Sequence, residues 1–322
     1  MPIARALASP ASLKGVLSAG AAAAALAEGL RSWAEVDEIP VADGGEGTLD
    51  VLHVALGGDW HEVEVSDAFG QPRVARWLLT PDGSALVEAA QAIPLDPRRL
   101  DPFAASSRGL GELIRAVGHP RELQVFLGGT ANVDGGAGLL EVLDVLPAPT
   151  RVAYDVGVPL LDAARVFAAQ KGATPEDARE LEARLLGLAE LTPYAGLSGA
   201  GAAGGLGAAL ASLGAELLPG APLVLDLVGF DPAGYDVVVT GEGTVDRTTT
   251  LGKAPGEVAR RCALAGVRCV VFAGRIGEAL PELEVIHLSG DPTRAEKDLV
   301  ELGRLLAGQK PSSVASNLDK GR

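Results

Sequence analysis

The chain has 322 residues, 48% hydrophobic and 21% charged, a composition that gives room for two cored domains and excludes disorder for the body of the chain. Its formal net charge of −15 repels polyanions, and with 4% aromatic residues it lacks stacking platforms for bases, so nucleic acid and anionic membrane are poor partners. Two cysteines, Cys262 and Cys269, cannot staple a chain of this length and read as reduced thiols of a cytoplasmic protein.

In chain order, residues 3–8 read as a strand, 18–33 as a helix and 36–41 as a second strand running into ADGGEGT, which makes a βαβ unit. Val16 to Ala27 is alanine-rich, but Glu28 follows at once, which argues against a secretion signal. From His61 to Ala89 the pattern changes to three short strands with turns at FGQP and PDGS, the language of antiparallel hairpins. A helix over 108–117, a strand over 123–127 and the loop GGTANVDGGAG follow, then a strand over 151–155 and an amphipathic helix over 175–191 capped by Thr174. Leu191 to Ala215 carries no charge, yet its proline and seven glycines favour a buried glycine-rich helix start over a membrane span.

Strands expected at 235–240, 267–273 and 283–288 alternate with helices and resemble the opening unit, so the simplest assembly joins them to the N-terminal strands in one parallel sheet. That gives an α/β chain with a parallel-sheet domain formed by residues 1–60 and 232–308, an inserted mixed α/β domain over 61–231, and a polar tail over 309–322 read as disordered.

The most informative stretch is Val237 to Pro255, VVVTGEGTVDRTTTLGKAP. A buried valine strand spills into Gly241 and Gly243, which let backbone N–H groups approach an anion, with Glu242 and Asp246 able to hold Mg²⁺ or take a proton. The Walker A spacing is absent. Only six lysines stand against 21 arginines, and Lys14, Lys171 and Lys253 each sit beside a glycine, where a compact ammonium suits a phosphate oxygen better than a planar guanidinium.

Three further loops pair bare backbone with carboxylates or a helix start: Asp43-Gly44-Gly45-Glu46-Gly47-Thr48, then Gly128, Gly129, Thr130, Asn132 and Asp134, and the segment beginning at Gly199 and Gly201. Together they point to a site for a polyanion with a metal. The last segment is formally GxGxxG, but no convincing strand precedes it, so a nicotinamide site is disfavoured and close helix packing remains the alternative. The four histidines, His53, His61, His119 and His287, show neither metal spacing nor a nucleophile elbow.

ADGGEGT, GGTANVDGGAG, QKGAT, SGAGAAGGLGAAL and TGEGTVD followed by GKAP occur in the order seen in type 1 glycerate kinases, and SPASLKGVLSA resembles that family's opening segment. The resemblance runs from about residue 7 to residue 275. It implies a flavodoxin-like sheet interrupted by a mixed α/β domain, with ATP and Mg²⁺ serving phosphoryl transfer to D-glycerate to give 2-phosphoglycerate. Under that resemblance Asp134 or Asp246 takes the hydroxyl proton, Asp155 is a further candidate at a strand end, and Glu242 and Asp43 ligate Mg²⁺ or water. Lys14, Lys171 and Lys253 neutralise the phosphates and the carboxylate of glycerate.

The chain departs from the family pattern at four positions: Ala11 for an aspartate, Val133 and Val158 for asparagines, and Thr248 for a glutamine. It is also short between Asp144 and Arg151. These changes are expected to remove polar ligands from the site, which leaves a noncatalytic ligand-binding or regulatory paralogue, or a kinase for a related hydroxy acid, as alternatives. A homo-oligomer stays open.

Overall fold

The computed structural model describes residues 4–308, and the expected tail lies outside the described residues. Its first half runs β1 (Ala4–Ala8), α1 (Ala19–Leu30), β2 (Ala34–Glu38), α2 (Thr48–Leu56), β3 (Asp59–Ser66), β4 (Pro72–Leu79), β5 (Ala85–Glu88), α3 (Ala89–Ala92), α4 (Arg108–Ala116), β6 (Leu123–Phe126), α5 (Ala137–Leu140) and β7 (Thr150–Tyr154). Then come α6 (Asp162–Phe167), α7 (Pro175–Leu186), α8 (Ala202–Ser212), β8 (Glu216–Pro219), α9 (Gly220–Leu227), β9 (Val237–Val245), α10 (Ala254–Ala265), β10 (Arg268–Ile276), β11 (Glu284–His287) and α11 (Ala295–Leu305). Two compact units result: the first holds the chain up to Val41, Phe230–Thr250 and the chain from Pro255 onward, and the second holds Ala42–Gly229 with Leu251–Ala254.

In the first unit, β11-β10-β9-β1-β2 form a parallel sheet. Read from β2 this is the flavodoxin-like winding, in which the chain turns back at the boundary between β1 and β9. The valines of β9 are buried on both faces, as a covered parallel sheet requires. Its core sets Ala6, Ala8, Val237, Val239 and Phe272 against Leu26 and Leu30 of α1 and Leu299 and Leu302 of α11. Small side chains let the helices meet closely: a Cβ on Gly303 would lie 2.7 Å from the Leu26 carbonyl oxygen. Ser18 caps α1, its hydroxyl accepting from the Ala21 N–H at 3.2 Å, an interaction worth about 1 kcal/mol.

In the second unit the sheet order is β3-β4-β5-β6-β7-β8, with β3, β4 and β5 antiparallel and β5 through β8 parallel. The two hairpins fall at the expected turns, and the parallel half is covered by helices over a core that includes Leu110, Leu113, Val125, Leu127, Leu206 and Leu210. Thr174 and Asp177 form a capping box at the start of α7, which ends at Leu186 rather than Leu191 because Gly187 and then a 3₁₀ turn containing Pro193 follow. β8 and α9 were not anticipated. Residues 42–60, expected with the parallel-sheet domain, group here with the second unit, because α2 packs on β4, β5 and α9. No helix among the described residues is long and apolar enough to cross a membrane.

Candidate active site

The first unit presents its glycine loop at the sheet's switch point, where open α/β sheets bind ligands. β1 runs out through Ala11, whose N–H donates to the Gly241 carbonyl at 3.0 Å, into a tight turn closed by the Leu13 and Leu17 backbones. Lys14 stands on that turn, and a Cβ added to Gly243 would lie 3.8 Å from both the Leu13 Cα and the Lys14 nitrogen. Gly241 has no room for a side chain, since a Cβ there would meet the Phe272 ring at 2.5 Å. Lys14, Gly241, Glu242 and Gly243 are thus neighbours.

Beyond them, buried Thr249 orders the acids. Its hydroxyl donates to Glu242 Oε1 at 2.7 Å and accepts from the Asp246 N–H at 3.2 Å. Asp246 Oδ1 takes the Thr248 N–H at 2.8 Å and the Thr248 hydroxyl at 2.5 Å. Thr248, at the family's glutamine position, therefore shapes the turn after β9.

In the second unit, the ends of β6 and β7 meet the 43–48 loop. The Gly128 N–H donates to the Gly44 carbonyl at 3.1 Å, and a Cβ on Gly128 would lie 2.5 Å from the Gly45 Cα and 3.2 Å from Asp155 Oδ2. A Cβ on Gly129 would lie 3.6 Å from that of Glu46, and one on Gly252 3.7 Å from the Asp155 carbonyl oxygen, which brings the backbone before Lys253 to the same place. Within the loop, Asp43 Oδ1 accepts from the Gly45 N–H at 3.3 Å and the Thr48 hydroxyl donates to the Gly45 carbonyl at 2.6 Å.

Asp155 is half-buried, and burial together with the nearby negative charge of Asp43 pushes its carboxyl up to about 6, against a smaller opposing effect of Lys171. Lys171, 3% exposed, donates from Nζ to the Asn132 carbonyl at 2.6 Å. Burial lowers its ammonium to about 8, with the carboxylates of Asp155 and Asp134 holding the proton on. A carboxylate raised and an ammonium lowered toward neutrality in one place are the features of a proton-handling site. Two buried oxygens in the adjoining loop, Thr130 Oγ1 and Asn132 Oδ1, have no hydrogen-bond partner.

Asp134 differs. Its Oδ2 accepts from the Ser107 N–H at 2.8 Å, the Ser107 hydroxyl at 2.7 Å and the Gly138 N–H at 3.2 Å. Oδ1 accepts from Asn132 Nδ2 at 2.9 Å and the Gly136 N–H at 3.1 Å. A carboxylate offers about four lone-pair sites, so five donors leave little capacity for a substrate proton. The geometry fits a loop staple.

Gly199 and Gly201 are accounted for by packing: Cβ atoms there would overlap the Tyr154 ring and the Pro159 carbonyl. The same segment kinks through left-handed Ala203, Gly204 and Gly205, with Gly204 against the Asn132 and Val133 backbone. Val133 and Val158 do not strip a polar surface as expected. Val133 is 2% exposed and lies with Leu160, Leu181 and Leu185 in a cluster against which Val158 packs.

Sequence reasoning missed Glu88. It ends β5 with 1% exposure and accepts the Gly47 N–H at 2.6 Å. The only visible signal was an acid closing an otherwise apolar run, ALVEAA.

The sequence model of the glycerate kinase family matches residues 6–148 and 147–291. The chain is 34% identical to the glycerate kinase of Halalkalibacterium halodurans over 324 aligned positions, covering 84% of this chain and 85% of that one. It is 32% identical to the glycerate 2-kinase of Escherichia coli, with 87% of each chain covered. The crystal structure assigned to glycerate kinase 2 of Salmonella typhimurium LT2 superposes with a TM-score of 0.77 at 31% identity, over 94% of this chain and 97% of that one. With its motifs in family order along both units, the chain belongs to the glycerate kinase family.

Proposed function

We propose that the protein transfers the terminal phosphate of ATP to the 2-hydroxyl of D-glycerate, releasing ADP and 2-phosphoglycerate. The observation that carries the mechanism is the meeting of Asp155, the Gly45 and Gly128 backbone and buried Lys171 in the second unit, in a chain of this family.

Asp155 accepts the hydroxyl proton as the glycerate oxygen bonds to the γ-phosphorus and the bond to the ADP oxygen breaks. At about 6 its carboxyl is charged at neutral pH and still basic. Lys171 supplies fixed positive charge where negative charge develops, at little reorganisation cost because the Asn132 carbonyl already holds it. Asp134 keeps the Asn132 loop in shape, and Lys253 neutralises phosphate from the 251–254 segment.

In the first unit, Lys14 and the Gly241–Gly243 backbone take phosphate oxygens at the switch point. Glu242, with one oxygen oriented by Thr249, suits a hard cation, and Mg²⁺ commonly uses one or two carboxylates plus phosphate oxygens. Bound there, Mg²⁺ would neutralise phosphate charge. Asp43, the other expected metal ligand, also acts on Asp155 through its charge. ATP as donor and the unbridged Cys262 and Cys269 support a cytoplasmic setting.

The test is a coupled assay for ADP formation with D-glycerate and Mg²⁺, followed by phosphorus NMR of the product. A 2-phosphoglycerate signal supports the reading. Only 3-phosphoglycerate would overturn the regiochemistry, and absence of glycerate-dependent turnover would overturn the activity.

A further inference from the structure

Glu88 is a buried acid with an unusual setting. The charged groups that act on it, Asp50 of α2 and Glu46 of the preceding loop, are themselves acids, and Gln91 of α3 is a neutral hydrogen-bond partner. The nearby arginines are engaged elsewhere: Arg76 of β4 binds Asp50 at 2.7 Å, and Arg73 donates to the Gln91 carbonyl at 2.7 Å. Burying a carboxylate in such company is costly unless its hydrogen bonds matter. Its bond to the backbone goes to Gly47, which is left-handed at φ 90° and is the N-cap of α2. That glycine closes the loop whose other end, Gly44 and Gly45, borders Gly128 and Asp155.

We propose that Glu88 is a positioning residue, anchoring the 43–48 loop to the end of β5 and thereby fixing the backbone beside the Asp155 carboxylate. The role rests on the proposed reaction for its kinetic consequence, while the anchoring itself does not. Burial is the main cause that pushes the Glu88 carboxyl up to about 7, with Asp50 and Glu46 adding to it and the Gly47 N–H opposing it. Because burial and the acids of the loop and of α2 outweigh the Gly47 N–H, it is the charged form that strains the anchored state, so the loop holds more tightly as pH falls through about 7 and loosens as Glu88 ionises above it.

The experiment compares the parent with Glu88→Gln and Glu88→Ala, using hydrogen exchange of the peptide spanning residues 43–49 and steady-state kinetics. Glu88→Ala should speed exchange of this peptide about tenfold and raise the KM for D-glycerate at least about fivefold, with Glu88→Gln within about threefold of the parent at pH 8. After correction for intrinsic exchange, the parent peptide should show a midpoint near pH 7 that Glu88→Gln lacks. Unchanged exchange and kinetics in Glu88→Ala would overturn the proposal. So would a midpoint that persists in Glu88→Gln, the variant that decides if Glu88→Ala does not fold. A parent without glycerate-dependent turnover would overturn the functional reading, and the exchange comparison would still decide the anchoring.

Discussion

Two carboxylates lie in the loops that follow neighbouring strands of the second unit, Asp134 after β6 and Asp155 after β7, and their surroundings give them opposite work. Asp134 is surrounded by five donors from Ser107, Asn132 and two glycine amides, so its oxygens are spent on holding a loop. Asp155, one strand away, has burial and Asp43 acting against its charge, so its ionisation lies near neutrality. The residue type is the same. Hydrogen-bond saturation makes a carboxylate a structural group, and desolvation beside a like charge makes it a proton acceptor.

The sharpest way to break this contrast is to neutralise each acid in turn. Asp155→Asn should lower kcat by about three orders of magnitude, within the range lost with a general base. Its stability should move the other way. The folded carboxyl sits at about 6, above its ordinary 3.8, so its charge costs stability fully above pH 6 and not at all below about pH 3.8. Asp155→Asn should therefore melt at or above the parent's temperature at pH 8, with the difference vanishing in acid. Asp134→Asn should instead cost about 1.5–3 kcal/mol, because an amide group then faces donors that need an acceptor. A kcat loss in Asp134→Asn as large as that of Asp155→Asn, in folded protein, would reverse the assignment.

Lys253 extends the comparison, since Gly252 before it lies against the Asp155 carbonyl. Lys253→Ala should reduce turnover by about two to three orders of magnitude, the scale of one preorganised electrostatic group. Lys253→Arg should recover only part, because a planar guanidinium cannot take the place of a point charge. Turnover of Lys253→Ala within about threefold of the parent would remove the residue from the mechanism.

The pH profile tests the Asp155 side with less damage. Asp155 must be ionised to accept a proton and Lys171 must be protonated to neutralise charge, so kcat/KM should rise through about pH 6 and fall through about pH 8. Lys171→Arg should erase the alkaline limb and leave the acid one. An alkaline limb that survives in active Lys171→Arg would exclude Lys171 as its source.

The elements that carry these groups were legible to different degrees, for physical reasons. The valine run of β9 and the helices between the last strands announce a covered parallel sheet, and the turns at FGQP and PDGS announce hairpins. β8 and α9 were hidden because a four-residue strand at the sheet edge, followed by Gly220 and Pro222, has neither the length nor the periodicity to stand out. At the site, glycine beside lysine singled out Lys171, which the structure buries against the Asn132 carbonyl. Which acid would be saturated and which desolvated could not be read, because Ser107 lies 27 residues before Asp134 and Glu88 lies 41 after Gly47. The glycines at 199 and 201 looked like a phosphate loop because close packing and anion binding both require bare backbone.

Val133 offers the mildest test, because it separates the Asp134 loop's shape from its polarity. Its side chain is buried among Leu160, Leu181 and Leu185, so restoring the family's asparagine would place an amide in an apolar cluster. Val133→Asn alone should cost about 1–3 kcal/mol, the penalty for an unpaired buried polar group. Because Val158 packs against the same cluster, the double change Val133→Asn with Val158→Asn should cost less than the sum of the single changes, as two amides can satisfy each other. Turnover at pH 7 should change less than about threefold in either variant, since both side chains pack in the apolar cluster. A tenfold gain in glycerate turnover on restoring the asparagine would mean that position 133 faces substrate after all, and that the valine is a lost ligand rather than a core residue.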